Sequence, residues 1–164
     1  MESRIRRKHG IRVVIHDVPD PSPGDLNGAE IHIDYLAGAE LRLFLLSHLF
    51  GHTVQWNVSP LAFALGQPRT PPVEEPLVGP LIEYEREAAC YGYGLLLDAG
   101  VSDCGQWLAD FTACDMAYLA HYYRTGEQRG FSEFWRSGQP LLEPRPAPPF
   151  TPTKKVFRID GIVI

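Results

Sequence analysis

The stretch with the most consistent patterning is residues 41–56, Leu-Arg-Leu-Phe-Leu-Leu-Ser-His-Leu-Phe-Gly-His-Thr-Val-Gln-Trp. It has no proline, is rich in straight-chain apolar residues and is polar only at scattered positions, which predicts a helix buried on most of its surface. Pro60 ends it, because a proline biases the residue before it away from helical geometry. Ahead of the helix, residues 12–18 alternate, with Val13 and Ile15 on one side and Val14 on the other, and run into a proline-rich turn at 19–24. Residues 29–35 place Ile31, Ile33 and Tyr35 on one face. These two stretches predict strands that pair antiparallel and lead into the helix.

Beyond the helix, residues 66–80 carry Pro68, Pro71, Pro72, Pro76 and Pro80 and predict a long irregular loop. A second helix is expected over 82–98, with Gly100 near its C-cap. A third is expected over 101–125, with Trp107, Leu108, Phe111, Met116, Leu119 and Tyr122 in the core. Six prolines in 140–153 make that segment an extended arm. Residues 155–164 read as a last strand, bent at Gly161 and apolar enough to pair with another chain at a sheet edge. The sum is an α+β fold: a short, mostly antiparallel sheet packed against a helical core.

Composition narrows this picture. At 164 residues and 45% hydrophobic content, the chain supports one core, and a single domain over 1–164 is expected. A net charge of −5 weighs against a broad nucleic-acid or anionic-membrane surface. Arg4, Arg6, Arg7, Lys8 and His9 form a small basic cluster, read as a solvated tail. No run has the length of a membrane span or the pattern of a secretory signal, so a cytoplasmic protein is expected. Cys90, Cys104 and Cys114 lack metal-site spacing and read as reduced thiols.

The candidate chemistry sits inside the first helix. His48 and His52 are four residues apart, so both imidazoles lie on one helix face and can converge on one ion. The peptidase signature on such a helix is His-Glu-x-x-His, whose Glu takes a proton from metal-bound water. Here that position is Leu49. A carboxylate is the usual completion of the site, and the second helix offers Glu83, Glu85 and Glu87. Glu85 shares its face with Ala88, Ala89 and Gly92, residues small enough to let another helix come close. Glu85 is therefore the expected third ligand, with Glu87 in reserve, while Glu83 suits the positive end of a helix without any metal.

The order of parts resembles the ImmA/IrrE-type metallopeptidase family. The matching pieces are Gly28, Ile31 and Ile33, then residues 42–52, then Glu85-Arg86-Glu87-Ala88-Ala89-Cys90-Tyr91-Gly92, and the match covers roughly residues 10–100. The resemblance implies a small zincin-like domain with a zinc ion held by His48, His52 and Glu85 and a water in the fourth position. In the family the signature Glu polarises that water for peptide hydrolysis, and several members cleave repressor or antitoxin-like proteins. Leu49 departs from this pattern, since a hydrocarbon cannot accept a proton. Glu87, Glu74 and Glu75 are the acids that stand in reserve as a base.

Three expectations follow from different classes. A metal-binding pseudo-peptidase would recognise a protein or peptide partner without turnover. A metal-dependent enzyme of altered chemistry would use the ion as a Lewis acid on a small molecule. A structural domain would keep both histidines as metal-free core residues. His16 and His32 are expected exposed on their strands. His121, in an aromatic helix segment, is a residue that could approach the site, and Tyr91 and Tyr93 are candidates to stabilise an oxyanion.

Overall fold

A computed structural model describes residues 1–19 and 23–155. In chain order the elements are α1 (Glu2–His9), β1 (Arg12–His16), β2 (Gly24–Leu26), β3 (Glu30–Asp34), α2 (Ala39–Val58), α3 (Pro60–Leu65), α4 (Glu75–Asp98) and α5 (Gly105–Thr125), followed by a 3-10 turn at Phe131–Phe134. The α+β expectation holds, and the sheet is small, with three strands among the described residues.

The sheet corrects the expected antiparallel pair. Its order is β1-β3-β2, and β1 runs parallel to β3, with Val13 opposite Ile31 and Ile15 opposite Ile33. The antiparallel partner of β3 is β2, a three-residue strand that begins at the last residue of the expected turn and was not anticipated. Asn27 and Gly28 make the hairpin. The Asn27 side-chain oxygen accepts from the backbone N–H groups of Ala29 and Glu30, and Gly28 takes a positive φ of 87°, which a side chain would resist.

The period-2 pattern of β3 sends Ile31 and Ile33 inward, where with Leu26 they join Leu45, Leu49, Phe50 and Val54 in the core. Helix α2 is enclosed more fully than any surface helix, with every residue from Phe44 to Trp56 buried. Ser59 ends it and caps the next, its hydroxyl accepting from the Ala62 N–H to start α3.

Three further expectations are corrected. The N-terminal basic cluster is helix α1, not a solvated tail. Ile5 is wholly buried, Arg4 and Lys8 pair with Asp98 at 3.0 and 2.8 Å, and Gly10 closes the helix in the left-handed region. The proline-rich loop ends earlier than expected, because α4 starts at Glu75 and includes Pro76 and Pro80. A proline in the first turn removes only an N–H that has no helical partner, and buried Val78 and Leu81 hold the stretch around Pro80 against the core. On α5, Met116 and Tyr122 are only half-buried, and the inward face is Leu108, Thr112, Asp115 and Leu119.

The proline-rich arm has neither helix nor strand, as expected, but it is fastened along its length. Leu142 is buried, Arg145 N–H donates to Cys90 O at 2.9 Å, Thr153 N–H to Asn57 Oδ1 at 2.9 Å and Lys155 N–H to Asn27 O at 2.7 Å. The strand expected over 155–164 lies, beyond Lys155, outside the described residues. No described helix is long and apolar enough to cross a membrane.

Candidate metal centre

The centre is built where α2 and α4 approach each other more closely than ordinary side chains allow. A Cβ placed on Gly92 would lie 2.6 Å from the Ser47 carbonyl oxygen, and one placed on Gly51 would overlap the Ala88 backbone. The small face read from Ala88, Ala89 and Gly92 is thus the contact face, and it delivers Glu85 to the two histidines.

The three expected ligands converge. His48 Nε2 and His52 Nε2 are 3.0 Å apart, and Glu85 Oε2 lies 3.1 Å from the first and 2.9 Å from the second. Zinc bonds of about 2.0–2.1 Å in tetrahedral geometry separate neighbouring ligand atoms by about 3.3 Å, so the triangle needs to open by only a few tenths of an ångström. Among the described residues, this is the one group of three or more His, Cys, Asp or Glu whose donor atoms gather closely enough to hold an ion. All three side chains are buried, at 2%, 0% and 5% exposure.

No family model, curated protein or solved structure matches this chain. What the site can do therefore rests on its own chemistry.

Proton accounting tests the fit. Gln55 Nε2 donates to Tyr84 O at 2.9 Å and to Glu87 Oε2 at 2.8 Å, two acceptors that fix the amide's orientation. Its oxygen then faces His52 Nδ1 at 2.9 Å and requires the N–H there. A neutral His52 so held presents a bare Nε2 lone pair to the centre, the tautomer a metal ligand needs. Neutral rings then bring at most one proton, on His48 Nε2, to three mutual contacts. A cation at the centre turns all three into attractions.

With protons rather than an ion among the three groups, burial opposes ionisation of Glu85, but charge on His52, then hydrogen bonds from His48 and His52, outweigh it and hold the carboxyl at about 2. The Tyr84 ring lies 4.5 Å from that of His52, and its hydroxyl accepts from Trp56 Nε1 at 2.7 Å. Burial and then the neighbouring Glu85 push the Tyr84 hydroxyl upward.

Other sequence candidates fall elsewhere. Glu87 is engaged by Gln55 and paired with Arg145, so it serves neither as ligand nor as base. Glu83 and Glu74 are exposed, and Glu75 pairs with Arg124 at 3.0 Å on the surface. His121 points to Glu127 and Phe134. Tyr91 packs under the Arg145 guanidinium at 5.5 Å, and Tyr93 lies against Gly105 and Trp107's cluster, so neither stands at the triad. His16 and His32, expected exposed, touch at 3.2 Å and are partly covered, with Asp25 also 3.2 Å from His32.

One participant, Gln55, and one nearby buried acid, Asp115, escaped the sequence reading. Gln55 sits one turn beyond the histidine pair and looks like any buried amide. Asp115 is 4% exposed on α5 and interacts electrostatically with His48 and Glu85. Burial raises its carboxyl to about 7, lowered in part by His48 and raised further by Glu85. The one sequence signal for it was an acid at core spacing, between Leu108 and Leu119.

Proposed function

We propose that this chain is a metal-binding domain of metallopeptidase-like design, in which His48, His52 and Glu85 hold a zinc ion and peptide hydrolysis is absent. The observation that carries this reading is the buried triangle of two Nε2 atoms and one carboxylate oxygen, with Gln55 fixing the His52 tautomer. Two imidazoles and a carboxylate are a donor set that suits zinc.

The loss of hydrolysis follows from position 49. Leu49 is fully buried in the core cluster with Leu26, Ile31 and Ile33, and none of the acids held in reserve reaches the triad. Bound zinc supplies Lewis acidity, but the chain offers no acceptor at the signature position to take a proton from water. The order of strands, histidine helix and acidic helix supports a place beside the ImmA/IrrE-type peptidases.

The test is elemental analysis of untagged protein, wild type beside His48→Ala. One equivalent of zinc per chain, lost in the variant while circular dichroism is unchanged, is the expected result. No stoichiometric metal in the wild type after zinc is supplied would reduce the triad to a hydrogen-bonded core cluster.

A further inference from the structure

Gln55 is the middle of a longer chain of polar contacts. Its oxygen takes the His52 Nδ1 proton at 2.9 Å, and its amide nitrogen donates to Glu87 Oε2 at 2.8 Å as well as to Tyr84 O. The other oxygen of Glu87 pairs with Arg145 of the proline-rich arm. From the arm to the metal centre the order is Arg145, Glu87, Gln55, His52, each in contact with the next.

The arm is seated firmly at Arg145. Pro144 and Pro146 flank it and favour an extended backbone. Its N–H donates to Cys90 O at 2.9 Å, its guanidinium lies 5.5 Å over the Tyr91 ring, and its carbonyl fills the space that a side chain on Gly94 would need. With Glu87 and Arg145 exposed by 38% and 51%, the attraction between them adds little stability of its own. Its effect is on direction. A carboxylate is a stronger acceptor than the neutral Tyr84 carbonyl, and an amide turned over would set the Gln55 oxygen against both. The turned amide would offer N–H to His52 Nδ1 and move the ring proton to Nε2, the nitrogen an ion needs bare.

We infer that Glu87 is a positioning residue of the metal centre, aimed by Arg145, so that the proline-rich arm helps to set the tautomer of His52 through the Gln55 amide. This rests on the metal-binding reading above and deepens it, because the arm becomes part of what controls zinc affinity.

Chelator competition on single and double variants tests this. Glu87→Ala is expected to weaken zinc about tenfold, at the low end for an outer partner of a ligand. Arg145→Met, which keeps an unbranched stem over Tyr91, is expected to weaken it about threefold, in line with an exposed ion pair. The deciding measurement repeats both substitutions in Gln55→Leu, where each should change affinity by less than about twofold because the link they act through is gone. Losses that persist undiminished in Gln55→Leu would leave both residues a structural role alone and overturn the inference. Zinc affinity of Glu87→Ala within about twofold of wild type would overturn it too, and an unchanged Arg145→Met would remove the arm from it. If Glu87→Ala does not fold, Arg145→Met and its double variant with Gln55→Leu decide alone. A wild type that takes up no zinc fails the underlying proposal, a result distinct from a zinc-loaded wild type whose affinity is indifferent to position 87.

Discussion

Gln55 accepts a hydrogen bond from His52 Nδ1 at 2.9 Å and turns its own amide hydrogens away, onto Tyr84 O and Glu87. One side chain therefore sets which nitrogen of His52 faces Glu85. Replacing it with Leu frees the tautomer and leaves the buried Tyr84 carbonyl without this donor. The expected outcome is a roughly 10- to 100-fold loss of zinc affinity with the helices retained. Competition against a chromogenic chelator reads it, and unchanged affinity would show that the tautomer is set by the ion alone.

Removing the proposed ion is expected to lower stability. A ligand bound only by the folded state adds about 4 kcal/mol at a concentration a thousand times its Kd. Dialysis against a strong chelator is expected to lower the thermal midpoint, and added zinc to restore it. A midpoint indifferent to chelator would indicate that the ion contributes nothing to folding.

Two buried carboxylates give the metal-free protein opposite pH responses. Glu85, held at about 2, contributes stability that is present above its ordinary value of 4.5 and is lost as pH falls toward 2. Asp115, raised from 3.8 to about 7, keeps its proton in the folded state where the unfolded chain has lost it, so stability falls as pH rises between those values. Urea midpoints measured in chelator from pH 4 to 8 should decline for the wild type relative to Asp115→Asn. Parallel curves for the two proteins would contradict this.

The close approach of α2 and α4 makes Gly51 the least replaceable glycine of the site. Gly51→Ala puts a methyl into the Ala88 backbone and forces the helices apart. Overpacking of this kind is expected to destabilise by about 2–4 kcal/mol and to separate Glu85 from the histidines. Urea denaturation and zinc content, measured on the same preparation, should fall together. Gly79→Ala, where a Cβ meets nothing within 4 Å, is the control.

Much of the site is legible from spacing because helices repeat every 3.6 residues. His48 and His52 at four apart, and Glu85 with Ala88, Ala89 and Gly92 behind it, mark the two faces that meet. The sheet was less legible, since periodicity says which face of a strand is buried but not which strand lies beside it. Asn27-Gly28, a strong hairpin signal, marked the missing strand β2, whose three residues are too few to show alternation. Asp115 and Gln55 stayed hidden for another reason. Their significance comes from helices packed in three dimensions, and a polar residue on an inward face reads from sequence as an interruption of the apolar pattern.

Leu49 offers the sharpest test of whether the peptidase-like frame retains latent activity. Its side chain is fully buried and packs toward β2, where its Cδ1 lies 3.2 Å from the position a Gly24 Cβ would take. Leu49→Glu restores the His-Glu-x-x-His spelling but places a carboxylate among Leu26, Ile31, Ile33 and Leu45, on the sheet side of α2. Burying that charge unpaired is expected to destabilise the fold by on the order of 3–5 kcal/mol and to yield no peptide hydrolysis. Denaturation midpoints, zinc content and cleavage of an unstructured peptide pool check the three parts separately. A stable, zinc-loaded Leu49→Glu protein that cleaves peptides would mean that the frame lacks only its base.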